Sequence, residues 1–177
     1  MSDTPTALEQ LALDLITIPS VIGNEAQIAD FVEGWGKTRQ MDRVTRAVDY
    51  VAIQPRAYRP GAKRILLLCQ LDTVPVSELN PPGVEGDRIQ GYVSSDMKCA
   101  DALIMHLLER SIEQEPRHDL LAILYAKEEG PFDESGLPEL AEAAPDLFED
   151  IDLAIAMEPT DNHIELGCLG TMHAAIR

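Results

Sequence analysis

Basic residues are scarce in this chain and nowhere clustered: 14 lysines and arginines stand against 31 acids, a formal net charge of −17 at pH 7. Nucleic-acid binding needs grouped Lys and Arg to neutralise phosphates, and the lack of any such group excludes that class of function. Lysine is the scarcer of the two, with Lys37, Lys63, Lys98 and Lys127 the whole set. Little lysine beside abundant acid is also the composition of proteins that work at high salt. Cysteine is nearly absent. Cys69, Cys99 and Cys168 show no CxxC spacing, and an odd, scattered set argues against a disulfide framework and for reduced thiols in the cytoplasm. No apolar run approaches membrane-spanning length, and Met1-Ser2-Asp3 leads into no apolar core of a signal peptide. The expectation is a cytoplasmic protein without a membrane partner. Repeats and low-complexity tracts are also lacking.

What is present suits one compact α/β domain: 177 residues, 45% of them hydrophobic. From Thr6 to Ile18, Leu8, Leu11, Ala12 and Leu15 recur at helical spacing. Pro19, Ser20 and Gly23 break that helix, and Asn24 is placed to cap a second, with Ile28, Phe31, Val32 and Trp35 on its apolar face, to about Thr38. Val44–Gln54 supplies a strand, and Tyr58–Gly61 carries turn residues. Arg64–Cys69, Asp119–Ala126 and Ile151–Met157 are apolar runs of the kind found in strands buried on both faces. Pro75–Arg88 reads as a loop, Cys99–Glu113 as a helix with Leu103, His106, Leu107 and Arg110 on one face, and Pro138–Ala144 as a short helix. Helices alternating with apolar strands predict a mostly parallel sheet with helices on both faces. In such sheets the site lies outside the carboxyl ends of the strands.

Each of the three apolar strands runs into acid-bearing sequence: Gln70-Leu71-Asp72-Thr73-Val74-Pro75, Lys127-Glu128-Glu129-Gly130, and Glu158-Pro159-Thr160. Ser95-Asp96-Met97-Lys98 lies between the first two, just before a helix. Taken singly, each has a plain structural reading: a strand end, a solvated turn, a helix cap. If the strands are neighbours, however, Asp72, Asp96, Glu128, Glu129 and Glu158 converge at one edge. So many like charges repel strongly unless a cation sits among them, which points to a divalent metal site.

The ordered set resembles a known family, the succinyl-diaminopimelate desuccinylase, acetylornithine deacetylase, aminoacylase and carboxypeptidase G group of di-zinc hydrolases. Ile18-Pro19-Ser20-Val21-Ile22-Gly23-Asn24-Glu25 is similar to its Ile-Pro-Ser-Val-Ser-Gly-Asn-Glu segment. Gln70–Pro75 matches His-x-Asp-x-Val-Pro except at its first residue. Asp96-Met97-Lys98, Glu128-Glu129-Gly130 and Met157-Glu158-Pro159-Thr160 match its Asp-Met-Lys, paired-glutamate and Gly-Glu-Pro-Thr motifs. Gly167-Cys168-Leu169-Gly170-Thr171 resembles the exit towards the smaller lid domain.

The resemblance implies a zinc-aminopeptidase-like catalytic domain, incomplete at its C-terminus: residues 1–165 form its N-terminal part, and 166–177 the start of a truncated lid or dimerisation domain. It implies two divalent metals (zinc, with cobalt or manganese as substitutes), bridged by Asp96 and held by Gln70, Glu129 and Glu158. Glu128 is then the general base and Asp72 the residue behind the first ligand. The reaction implied is cleavage of the amide bond of a small N-acyl amino acid or peptide, the desuccinylase-like members being most similar.

Two departures bear on activity. Gln70 stands where the family has histidine, and an amide oxygen is a far poorer zinc ligand than imidazole. The family's last histidine ligand lies beyond Arg177. Of the histidines present, His106 and His118 suit packing and loop positions, and His163 and His173 follow the last metal motif. Weakened metal occupancy is therefore expected, and the alternative reading is a truncated or degenerate non-catalytic homologue that folds and at most binds metal weakly. A bare edge strand and bare apolar helix faces are also expected, favouring self-association or a complementing C-terminal segment.

Overall fold

The computed structural model describes residues 5–48, 50–75 and 81–167. Cys168, His173 and almost all of the expected second-domain segment lie outside these residues. Among the described residues no helix is long and apolar enough to cross a membrane.

Five strands form the main sheet: β1 (Arg43–Arg46), β2 (Tyr50–Gln54), β3 (Arg64–Gln70), β6 (Asp119–Tyr125) and β7 (Ile151–Ala156), in the order β1-β2-β6-β3-β7. β3 is parallel to both β6 and β7, while β2 is antiparallel to β6 and to β1. Only β2 therefore runs against the rest, and the sheet is mixed with a parallel majority. The register pairs Gln70 with Tyr125 and Leu68 with Ala156, so the three parallel strands finish together.

Side-chain alternation divides the central strands between two cores. Leu67, Cys69, Ala122, Leu124, Val51 and Ile53 face three helices: α1 (Ala7–Thr17), α2 (Ala26–Thr38) and α3 (Cys99–Glu113). Leu66, Leu121, Ile123, Tyr50 and Ala52 face α4 (Gly136–Ala143) and the short turn Pro145–Phe148 that follows it. Among the described residues helices thus cover both faces, three on one and a single short one on the other. α1 begins in a capping box, the Thr6 hydroxyl accepting from the Glu9 N–H while the Glu9 carboxylate accepts from the Thr6 N–H.

Several expectations need correction. Val44–Gln54 is not one strand but the hairpin β1–β2, folding back between Arg46 and Tyr50. Asn24 does not cap α2; Glu25 holds that position, and its carboxylate accepts from the Gly23 N–H instead. Within Pro75–Arg88 the chain forms β4 (Gly83–Glu85), which pairs with β5 (Arg88–Gln90) as a small separate hairpin. The face of α3 marked by Leu103 and Leu107 is its exposed one, and the core takes Asp101, Ala102, Ile104, Met105 and Leu108. β7 is not buried on both faces. It is the edge of the sheet, with Leu153 and Ile155 exposed.

Candidate active site at the strand ends

The segments that follow β3, β6 and β7 meet at the carboxyl edge of the sheet. Leu71 extends the β3–β6 ladder by one bond, its N–H donating to the Tyr125 carbonyl at 2.7 Å. Asp72 follows and is 1% exposed. Its two carboxylate oxygens accept from the backbone N–H groups of Glu128 and Glu129, both at 2.9 Å. The turn that presents those N–H groups passes through Lys127 at a φ of 62°. Gly130 ends it under tight contact, because a Cβ there would lie 2.7 Å from Ile22 Cδ1. The Ile18–Glu25 segment docks against the loop after β3: Thr73 N–H donates to the Ser20 carbonyl and Ile22 N–H to the Thr73 carbonyl, each at 3.0 Å.

Asp96 comes from the other side. β5 leads through Gly91, where a Cβ would stand 2.8 Å from Ile16 Cγ2, into the wide helical turn Ser94–Lys98. Asp96 and Met97 have non-helical backbone angles, and the peptide bond between them is cis. Asp96 is left exposed while Met97 is buried. Tyr92 ties this loop to the one after β3, its hydroxyl donating to the Val74 and Pro75 carbonyls at 3.2 and 3.3 Å. Between the two loops opens a cavity of about 480 Å³ whose lining includes Gln90, Ser94, Asp96 and Glu129.

The carboxyls stand within one another's fields. Partial burial, then the charges of Asp72 and Asp96, raise Glu128. Burial followed by Asp96, Glu128 and Asp72 raises Glu129, against which a hydrogen bond from Gln70 works. Glu158, at the exposed rim, is pushed up to about 7 by partial burial and by Glu128, Asp96 and Glu129. These are the marks of like charges gathered in one place.

Gln70 is 3% exposed. Its Nε2 donates to Glu129 Oε1 at 3.1 Å, and its Oε1 is buried with no hydrogen-bond partner. Asp72 was expected behind a ligand at position 70; what it holds is the backbone of the glutamate pair. Among the described residues no three His, Cys, Asp or Glu side chains are gathered closely enough to hold a metal ion between them. His106 lies on α3 beside the groove against α1 and α2, His118 precedes β6 at the opposite sheet end, and His163 is exposed in the turn after Glu158. Gln70, Asp96, Glu129 and Glu158 offer oxygen donors only, and their arrangement does not fit a preformed metal centre, a zinc pair included.

Three residues were missed from sequence. Tyr125 ends β6 among the carboxyls, and burial with the charges of Glu128, Glu158 and Asp72 raises its hydroxyl. Lys98, 3% exposed, donates to the Ile18 carbonyl, and burial depresses its ammonium to about 8. Asp101 is wholly buried beneath the site, beside the Cys69 thiol, and burial drives its pKa well up. Lys98 had a signal, since it stands in the Asp-Met-Lys motif. Asp101 had none, because an acid in the first turn of a helix looks like an ordinary dipole partner.

No family model matches the chain. It is 36% identical over 168 residues to a putative succinyl-diaminopimelate desuccinylase, DapE, of Mycobacterium tuberculosis, covering 94% of this chain and 46% of that protein. It is 32% identical over 163 residues to the succinyl-diaminopimelate desuccinylase of Corynebacterium glutamicum, covering 92% and 44%. The chain spans less than half the length of the curated relatives it matches. In fold it resembles an M20 family metallo-carboxypeptidase, Sso-CP2, from Sulfolobus solfataricus, with a TM-score of 0.71 at 14% identity over 86% of this chain and 37% of that one. By sequence and fold together, the chain belongs to the M20 family, the group of desuccinylases, deacylases and peptidases it resembles in its motifs, and it corresponds to the N-terminal part of their chains.

Proposed function

We propose that the chain carries the carboxylate half of an active site that hydrolyses the amide bond of a small N-acyl amino acid or peptide, as a desuccinylase, deacylase or peptidase does. The observation that carries this reading is the clamp of Asp72 on the N–H groups of Glu128 and Glu129, which fixes two acids where Asp96 and Glu158 also act. Glu128 is the general base: its raised carboxyl is the more basic for it, suited to taking a proton from water and returning it to the leaving nitrogen. A C–O bond forms, the C–N bond breaks, and the proton ends on the amine. Asp72 positions Glu128 without touching substrate.

Gln70, Asp96, Glu129 and Glu158 are the donors for divalent metal, two ions of zinc, cobalt or manganese on the family pattern. Such ions would supply polarisation of the amide carbonyl and acidification of water. The cavity beside Asp96 and Glu129 is the place for substrate. A cytoplasmic location follows from the cysteine pattern, and the exposed apolar residues of β7 support self-association or cover by a further segment.

A second reading, a non-catalytic homologue, is favoured by one observation: the Gln70 amide is already engaged with Glu129. Hydrolysis of N-succinyl and N-acetyl amino acids by the purified chain, with and without added divalent ions, separates the two. The first reading expects turnover that Glu128→Gln lowers about 10²–10⁴-fold. Absence of turnover with every ion supports the second.

A further inference from the structure

Tyr92 lines the cavity beside Asp96 and bridges its two walls. Its backbone belongs to the loop after β5, and its hydroxyl reaches the Val74 and Pro75 carbonyls of the loop after β3, at 3.2 and 3.3 Å. The ends of its own loop are fixed elsewhere. A Cβ on Gly91 would stand 2.8 Å from Ile16 Cγ2 and 3.4 Å from Pro82, and the Lys98 ammonium donates to the Ile18 carbonyl. Between those anchors Val93 holds a φ of 60°. Branched side chains rarely adopt that left-handed backbone, and it persists only where the surroundings impose it. The Lys98 N–H, donating to the Val93 carbonyl at 3.1 Å, holds it from one side, and Tyr92 holds it from the other.

The cavity, about 480 Å³, has the size of a small-molecule site. Val74, Tyr92, Val93 and Ser94 line it beside Asp96 and Glu129, and among the described residues its lining includes no Lys, Arg or His. An N-acyl amino acid carries a carboxylate at one end, which would lie there next to two acids with no cation to meet it. The acyl end is the one that fits. We propose that Tyr92 is a specificity-determining residue: by tying the two walls together it fixes the width of the cavity and limits the size of the uncharged acyl chain that enters. This rests on the reading that the cavity takes the substrate.

The test is binding, not turnover. N-acetyl-, N-butanoyl- and N-hexanoylglycine are added to the whole chain, with and without zinc or manganese, and the amide chemical shifts of residues 91–96 and 128–130 are followed. Tyr92→Phe keeps the ring and drops the tie, and Tyr92→Ala removes both, with circular dichroism confirming that each folds. The native chain is expected to bind the acetyl compound in preference to the hexanoyl one. Tyr92→Ala then raises hexanoyl affinity relative to acetyl at least about tenfold, the low end of what a pocket achieves against an extra methylene. Tyr92→Phe moves the same ratio in the same direction by less. Variants that weaken every compound alike or change none, or a native chain that prefers the hexanoyl compound, overturn the role of Tyr92 and leave the cavity reading standing. If no compound perturbs those amides, in the native chain or in either variant, both are overturned.

Discussion

The two strands flanking β3 are alike in composition and opposite in situation. β6 lies between β2 and β3, is buried on both faces, and ends in a loop that Asp72 holds by two hydrogen bonds. Among the described residues β7 pairs with β3 alone, is exposed along nearly its whole length, and leads to Glu158 at the rim. The acids delivered by β6 are thus set by the protein's own frame. The acid delivered by β7 is placed by a strand with one neighbour and little cover. Half of the candidate site is set by the interior of the sheet and the other half by its edge.

Two isoleucines make the contrast measurable. Ile123 in β6 pairs with Leu68 and is fully buried, while Ile155 in β7 pairs with Leu67 and is 39% exposed. Ile123→Ala is expected to cost about 2–5 kcal/mol in chemical denaturation, and Ile155→Ala less than about 1 kcal/mol. Equal losses would mean that β7 is covered in solution.

Asp72→Ala comes next. It strips two charge-assisted bonds from the half-buried loop after β6, and the expected loss is about 2–4 kcal/mol. Hydrogen exchange at the Glu128 and Glu129 amides should quicken with it, while exchange in β7 should not change. If those two amides stay protected, the loop is held by something other than the clamp.

The smallest effect is in pH. The folded chain keeps a proton on Glu158 up to about 7, where the unfolded chain releases it near the ordinary value of 4.5. Glu128 and Glu129 are shifted in the same direction. Between those values the folded state binds more protons, so stability is present at the acid end of the window and falls as pH rises through it. In chelator, the thermal midpoint should fall by a few degrees from about pH 5 to about pH 8. Manganese should flatten that slope by taking the protons' place. A midpoint that climbs with pH in chelator would show that the carboxyls do not crowd one another.

The sequence made the centre of the fold legible and misled at its margins. Arg64–Cys69 and Asp119–Ala126 were read as doubly buried strands, and both are central in the sheet. Ile151–Met157 has the same apolar character, but composition records what a strand can bury, not whether a neighbour is there to bury it. In α3, Leu103 and Leu107 stand on the outward face and Ala102, Ile104, Met105 and Leu108 on the inward one, so the stripe through Leu103 and Leu107 picked the wrong side. At the site, the residue types and their order were plain. The grip of Asp72 on two backbone N–H groups was not, because it depends on a left-handed turn at Lys127 that no residue type there announces. The unused oxygen of Gln70 likewise emerges only once β3 and β6 are in register.

The Asp72 clamp also bears on how this socket could change over time. It grips main-chain N–H groups, which every residue except proline possesses. The shape of the turn is therefore blind to the side chains at 128 and 129, and those can drift or be replaced by design while the frame stays put. Chemistry here is a removable fitting on a fixed mount, and proline is the one residue that would unseat it.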